Sequence, residues 1–212
     1  MINKTKRFNK IIIILTLSDV LVWGTYLIAA PLQGIYLTYS YGDKSIQYIA
    51  IGLSIYYVMR AVFQVPIGFV VDRTKKDFDE IWALGIGSAL IGINFMLFPL
   101  TSQPYEYYLI MALAGVGASF NLIGWRKLFA KNLDKDKEGR EYATYETVMS
   151  LCTAVFCFFG GELSSISHEV FRAFFFVIGG ATVLGGIVIT IMLIQVKKEE
   201  YKAKIHTENL AK

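Results

Sequence analysis

Six long apolar stretches take up most of this sequence and leave only short connections between them. They cover roughly residues 11–38, 45–71, 79–100, 106–129, 141–163 and 171–196. About 20 mostly apolar residues are enough for a helix to cross the hydrocarbon of a membrane. Hydrophobic residues make up 55% of the 212 positions and charged residues only 18%, which is the composition of a membrane protein. Because backbone surrounded by lipid must satisfy its own hydrogen bonds, we expect an all-α membrane protein with six transmembrane helices.

The placement of the cations predicts the orientation of these helices. If the N-terminus lies in the cytoplasm, all but three of the 21 Lys and Arg residues fall on the inner side, the exceptions being Lys44, Arg60 and Arg172. Such asymmetry is the positive-inside pattern. It predicts a multi-pass protein of the cell membrane, the inner membrane of a bacterial cell, with both termini cytoplasmic. The expected parts are a cytoplasmic N-terminus (1–10), a transmembrane bundle (11–196) and a polar tail (197–212) that frays.

Several function classes are disfavoured by the residue pattern. The sequence has no metal-ligand cluster, phosphate-binding loop or nucleophile–base arrangement, so we expect no enzyme, no cofactor and no metal. The cations flank apolar helices, where they would contact membrane lipids, and they do not form the aromatic-interleaved basic face of a nucleic-acid-binding protein. Cys152 and Cys157 lie five residues apart and do not share a helical face. We expect them to be reduced packing residues.

Ionisable residues divide the six helices into two groups. The stretches from Ile81 to Leu100 and from Ala173 to Val196 contain none and are rich in glycine. This pattern favours close helix contact and lipid exposure, so the third and sixth helices are predicted to be scaffold. The first, second and fifth helices carry Asp19, Arg60 and Glu146. Charged groups inside a membrane are costly, so these helices, with the fourth, are predicted to face protein or water.

A candidate binding site follows from the depths of these groups. Asp19 is about 13 Å and Arg60 about 18 Å from the inner face at 1.5 Å per residue, so we expect their side chains to pair. The pair would be either a proton- or solute-sensitive element or a static bridge between helices. Asp19 also shares a helical face with two aromatic residues, which could bind a solute or simply pack. The candidate solute- and proton-binding residues are Asp19, Trp23, Tyr26, Arg60, Gln64 and Asn121.

One inner connection carries a recognisable motif. It reads Gly68-Phe-Val-Val-Asp72-Arg73-Thr-Lys75-Lys76 at the end of the second helix and resembles the signature loop of the major facilitator superfamily. The charged entry to the fifth helix around Arg140 is similar to that family too. The resemblance implies one half of a major-facilitator fold, with six helices as a 3+3 inverted repeat. An ordinary inner turn that carries topology charges is the alternative interpretation of the motif.

The resemblance also implies roles for the loop residues. Asp72 would cap the cytoplasmic start of a helix in the opposite half and hold one state closed, and Gly68 would permit close contact there. Arg73 and Lys76 would brace neighbouring groups, and Arg140 would lie at the entry of the fifth helix. Two departures from the family pattern leave proton coupling open. Lys75 stands where the motif usually has a second glycine, and Met111 where many members have an arginine.

The functional expectation is a secondary active transporter of a small solute. A chain with one six-helix half would need a second half, so we expect a homodimer that works by rocker-switch alternating access. One alternative is a non-transporting membrane partner or regulator of another transporter. Another is one half of a split transporter that needs a different second half. Two classes of solute remain as alternatives: cations or amphipathic molecules on one side, and sugars on the other. Symport and antiport also remain as alternatives.

Overall fold

The structure, a computed structural model, describes residues 9–73, 77–163 and 168–210. Within these residues the chain is helical and contains no strand. Its long helices are α1 (Lys10–Tyr41), α2 (Ser45–Val71), α3 (Phe78–Leu97), α4 (Pro104–Asn132), α5 (Glu138–Leu163) and α6 (His168–Leu210). Each of the six apolar stretches therefore corresponds to a helix, with boundaries that differ by a few residues except at the end of α6.

The connection between α1 and α2 is unusually tight. A single turn of 3-10 helix, Gly42–Lys44, separates the two helices, and Gly42 has a φ of 57° in the left-handed region that glycine adopts without strain. Tyr26 of α1 and Tyr56 of α2 line one cavity, so α2 runs back along α1. Among the described residues, five segments are long and apolar enough to cross a membrane; α1 and α2 are counted together as one segment of 62 residues, Lys10–Val71. The six-span 3+3 arrangement stays a prediction.

Helix α3 lies at the centre of the packing and contacts mainly α4 and α6. Its glycines permit this: a Cβ at Gly92 would lie 2.7 Å from the carbonyl oxygen of Gly179, and one at Gly179 would lie 2.6 Å from that of Gly92. The close helix contact predicted from the glycines is confirmed, and the structure shows that α3 and α6 make it with each other. Their predicted lipid exposure is limited for α3, because 56% of its most apolar stretch is buried.

Helices α2 and α5 each pack mainly against one other helix. Helix α2 packs mainly on α4, and α5 packs mainly on α1. Many large apolar side chains of α2 and α5 are consequently exposed, among them Phe69, Leu151 and Phe158. Cys152 and Cys157 on α5 are both free, as predicted, although Cys157 is exposed and does not pack in the core.

The polar tail after Lys197 is helical within the described residues, and its fraying stays a prediction. Helix α6 continues to Leu210, well beyond its apolar part. Lys197 forms ion pairs with Asp77 at the start of α3 (2.9 Å) and with Glu200 one turn onward (3.1 Å). Pairs three or four residues apart support a helix, and the contact with Asp77 fastens this part of α6 to the bundle.

Candidate functional site

Hydrogen bonds connect the aromatic face of α1 to α4 and, through α4, to α3. The indole Nε1 of Trp23 donates to Oδ1 of Asn121 at 3.3 Å, and Nδ2 of Asn121 donates to the hydroxyl of Ser88 at 3.1 Å. Asn121 is fully buried. The rings of Trp23 and Tyr26 meet edge to face with centroids 5.8 Å apart. The structure therefore brings together three of the predicted site residues, and Ser88 of α3 joins them.

The expected pairing of Asp19 with Arg60 is wrong. Among the described residues no ion pair joins them, and the carboxylate of Asp19 instead accepts a hydrogen bond from the hydroxyl of Tyr145 on α5. The reason lies in helix packing, because α1 packs far more on α5 and α6 than on α2. Asp19 is 5% exposed, so its own chain shelters it. Arg126 and Glu146 are the charged groups near enough to act on it.

Arg60 belongs to a separate cluster on α2. Its guanidinium lies against the hydroxyl of Tyr56 and close enough to Tyr26 to interact electrostatically. Its carbonyl oxygen accepts a hydrogen bond from the hydroxyl of Ser119 on α4 at 3.1 Å, which fastens α2 to α4. Gln64, one turn further along α2, is half-buried, and its Nε2 is buried without a hydrogen-bond partner in the described chain.

A small cavity lies between α1, α2, α3 and α4. Its volume is about 20 Å³, and Trp23, Tyr26 and Tyr56 line it together with Gln33 and Asn94. A cavity of this size has room for about one water molecule. Sequence reasoning missed Asn94, because α3 was assigned to the scaffold on its lack of ionisable residues. The signal that could have found it is an amide in the most apolar part of a membrane helix.

The motif at the end of α2 is largely exposed. The side chain of Asp72 is 70% exposed and forms a 2.7 Å ion pair with Lys127 of α4. A Cβ at Gly68 would meet no atom of the described residues within 4 Å, so the close contact expected there is not made inside this chain. Arg73 and Arg140 are exposed, and Lys76 lies outside the described residues.

Behind this loop is an ion-pair network that sequence analysis did not predict. Glu80 on α3 is fully buried, and its Oε1 lies 2.9 Å from Lys127 and 2.7 Å from Lys131. Lys131 also contacts Asp77 at 3.0 Å, and Asp77 in turn contacts Lys197 at 2.9 Å. We call these five residues the charged cluster; it joins α3, α4 and α6 at one end of the bundle. The sequence did carry a signal for this network: acids at the start of α3 and, on α4, two lysines that are one helical turn apart.

Asp77, which precedes α3, shows the effect of the cluster on ionisation. Burial opposes its ionisation, but hydrogen bonds from Lys197 and Lys131 outweigh burial and hold the pKa of Asp77 below its ordinary value of 3.8. The carboxylate is therefore charged and paired at neutral pH.

Comparison with known proteins decides the family. The family model of the Major Facilitator Superfamily matches residues 12–211, which is nearly the whole chain. The chain belongs to the major facilitator superfamily. Searches of curated proteins and of solved structures found no match. The protein is thus a multi-pass membrane protein and a transporter of the major facilitator kind, and the family's members are in general not enzymes.

Proposed function

We propose that this transporter is a secondary active transporter of a small solute. In this proposal it works as a homodimer of two six-helix bundles, each a 3+3 inverted repeat, that rock against each other. Access to the space between the bundles then alternates between the two sides of the membrane. The support comes from the exposed sides of α2 and α5, which this proposal assigns to one surface of the bundle and which we call the open face.

The observation that carries the proposal is the polarity of α5 on the open face. Glu146, Thr147 and Ser150 are all exposed, although they lie in a helix that is long and apolar enough to cross a membrane. An ionisable residue in such a helix is expected to face protein or a water-filled space, because exposure to hydrocarbon costs about 2.5–3.5 kcal/mol on insertion scales. A second bundle against the open face would provide that environment. Asp19, which is buried within its own chain, does not require one.

The motif loop supports the same arrangement. Gly68 has free space around it and Asp72 is exposed, so a helix of another bundle could approach both. By resemblance to the family, the approaching element in a two-fold dimer would be the start of the partner's α5. The positive end of that helix and the exposed cation of Arg140 would attract Asp72. Asp72 would then leave or share its contact with Lys127 as the two bundles rock.

Asp19 is the candidate for proton coupling. Its carboxyl is buried between α1 and α5 and has a neutral hydroxyl, that of Tyr145, as its hydrogen-bond partner. Because α5 contributes to the open face, a movement at the dimer interface would alter this contact. Uptake or release of a proton at Asp19 would thereby be linked to the rocking motion, as symport or antiport.

The proposed orientation rests on the charges. The charged cluster and the motif loop lie on the side that the positive-inside pattern assigns to the cytoplasm, and in this proposal both termini lie there too. The cell membrane is the proposed location.

Transport assays in proteoliposomes test this proposal. Labelled solute panels are supplied with and without a pH gradient to the unaltered protein and to Asp72→Asn, Asp19→Asn and Asp43→Asn. Asp43 is an exposed acid at the opposite end of α2 and serves as the matched control. We expect Asp72→Asn to lower the transport rate at least tenfold, Asp19→Asn to remove the response to the pH gradient, and Asp43→Asn to retain both.

Unchanged transport in Asp72→Asn would contradict the gating role of the loop. If no panel member is transported while Asp72→Asn and Asp19→Asn stay folded and co-purify with another membrane protein, the protein is instead a non-transporting partner. Recovery of transport only when a different six-helix chain is supplied would identify a split transporter.

A further inference from the structure

Asn94 is a buried polar group that the proposed transport mechanism leaves without a role. The residue is 4% exposed, and its Oδ1 has no hydrogen-bond partner in the described chain. An unpaired buried acceptor costs about 1–3 kcal/mol. Asn94 lines the cavity between α1 and α4, so a group that enters the cavity could satisfy this oxygen. We propose that Asn94 anchors a hydroxyl group of an uncharged, hydroxylated solute, an inference that rests on the proposed transport function.

The dimensions of the cavity fit a hydroxyl. Its volume of about 20 Å³ admits one water-sized group. The cavity also continues toward the surface, because Trp23, Tyr26 and Gln33 line it and are each only partly buried. One hydroxyl would thus occupy the cavity while the remainder of the solute lies along this partly exposed face of α1.

The charges around the cavity argue against an ionic solute. None of the side chains that line it is ionised at neutral pH. Asp19, the nearest candidate partner for a cation on α1, is turned to Tyr145 of α5. A cation would therefore enter beside Tyr26 and Tyr56, which Arg60 already approaches, with no carboxylate to compensate it. Burying an unpaired charge is far more costly than burying a hydroxyl that forms a hydrogen bond.

The chemistry of the amide favours a hydroxyl over an anion. An anion would bring lone pairs against the unpaired Oδ1 of Asn94, whereas a hydroxyl donates to that oxygen and can also accept from an amide nitrogen. The rings of Trp23, Tyr26, Tyr56 and Phe95 supply the apolar walls of the site. Apolar walls with a few placed polar groups are the usual composition of a small-molecule site.

Ligand-dependent thermal stability of the purified protein in detergent tests this inference. The probes are glucose, xylitol and sucrose as hydroxylated solutes, choline and tetraethylammonium as cations, and succinate as an anion. We expect at least one hydroxylated probe to raise the apparent Tm and neither the cations nor succinate to do so. In Asn94→Leu, which has similar volume and no acceptor, the apparent affinity for that probe should fall about tenfold, the equivalent of one lost hydrogen bond.

Two further variants serve as controls for Asn94→Leu. Asn94→Asp retains acceptor oxygens and shape and should bind the probe better than Asn94→Leu, when both variants show a cooperative unfolding transition without the probe. Gln47→Leu removes an exposed amide of α2 outside the cavity and should leave the affinity unchanged. The inference is overturned if a charged probe protects more strongly, if no hydroxylated probe protects, or if both Asn94 variants bind as the unaltered protein does.

Failure of the transport function would look different from failure of this inference. If the protein binds the solute but does not transport it, hydroxylated probes would still protect the protein in an Asn94-dependent way, but counterflow of the same labelled probe into proteoliposomes would be absent. If the substrate class alone is wrong, counterflow would occur with a charged probe.

Discussion

Two regions of this transporter differ in how completely the chain packs around them. In the most apolar stretch of α3, 56% of the residues are buried, whereas in that of α5 none is. The first region, α3 with α4 and α6, has glycine-mediated backbone contacts and the charged cluster. The second, the open face of α2 and α5, exposes apolar side chains together with Glu146. The contrast separates a densely packed scaffold from a surface that, in our proposal, a second bundle covers.

The largest expected effect concerns the glycine contact between α3 and α6. Gly179→Leu should lower stability by about 3 kcal/mol, because overpacking typically costs 1–3 kcal/mol and the clash here is with the backbone of Gly92. Gly180→Leu is the matched control, since a Cβ there would meet no described atom within 4 Å. Apparent Tm in detergent measures both. Equal losses in the two variants would contradict the assignment of α3 and α6 as a tightly packed scaffold.

The next effect concerns the charged cluster. Glu80→Ala should lower the free energy of unfolding by about 2–3 kcal/mol. Removal of one partner of a buried ion pair usually costs about 3–5 kcal/mol. The loss here should be smaller because Lys127 and Lys131 are partly exposed. Glu200→Ala, which removes a 52% exposed partner of Lys197, should change stability by less than about 0.5 kcal/mol. Denaturation in detergent compares the two. A small loss in Glu80→Ala would show that the cluster does not stabilise the scaffold.

A smaller effect is expected where α5 is attached to α1. Tyr145→Phe removes the hydrogen bond to Asp19 and should cost about 1 kcal/mol, given the modest value of such bonds in membranes. Tyr142→Phe removes the hydroxyl of an exposed tyrosine on the same helix and should be neutral. Thermal unfolding again compares them. A loss as large as that of Gly179→Leu would mean that α5 belongs to the scaffold and not to the open face.

The smallest effect is a pH dependence from Asp77. Since the folded protein holds the pKa of Asp77 below 3.8, the ion pairs contribute fully above that value, and the contribution is lost as the pH falls through the lower, folded pKa. The apparent Tm of the unaltered protein should fall more steeply below pH 4 than that of Asp77→Asn. Identical slopes would contradict the pairing of Asp77 with Lys197 and Lys131.

Sequence reasoning predicted the helices well and the side-chain partners poorly. Hydrophobic length is a strong signal, so each of the six helices was placed, and the loop of Gly68 and Asp72 identified the family. The partner of Asp19 could not be predicted in this way, because depth in the membrane does not determine which helices are neighbours. Equal depth favoured Arg60, whereas helix packing brings Tyr145 to Asp19.

Buried polar groups on apolar helices were the second class that sequence reasoning missed. Asn94 and Glu80 were overlooked because α3 was treated as a scaffold on its composition. Their importance depends on what lies opposite: a cavity for Asn94, and two lysines of α4 for Glu80. These are long-range contacts that no local pattern reports.

Cross-linking between two copies tests the central claim most directly, namely that a second identical bundle covers the open face. Copies with different tags are co-expressed without Cys152 and Cys157; one carries Asp72→Cys and the other Arg140→Cys. Each chain then has one cysteine, so any disulfide joins two copies. We predict a cross-linked species containing both tags in native membranes, and none when Asp43→Cys replaces Asp72→Cys. Absence of the Asp72–Arg140 cross-link, with both chains present and folded, would contradict the account.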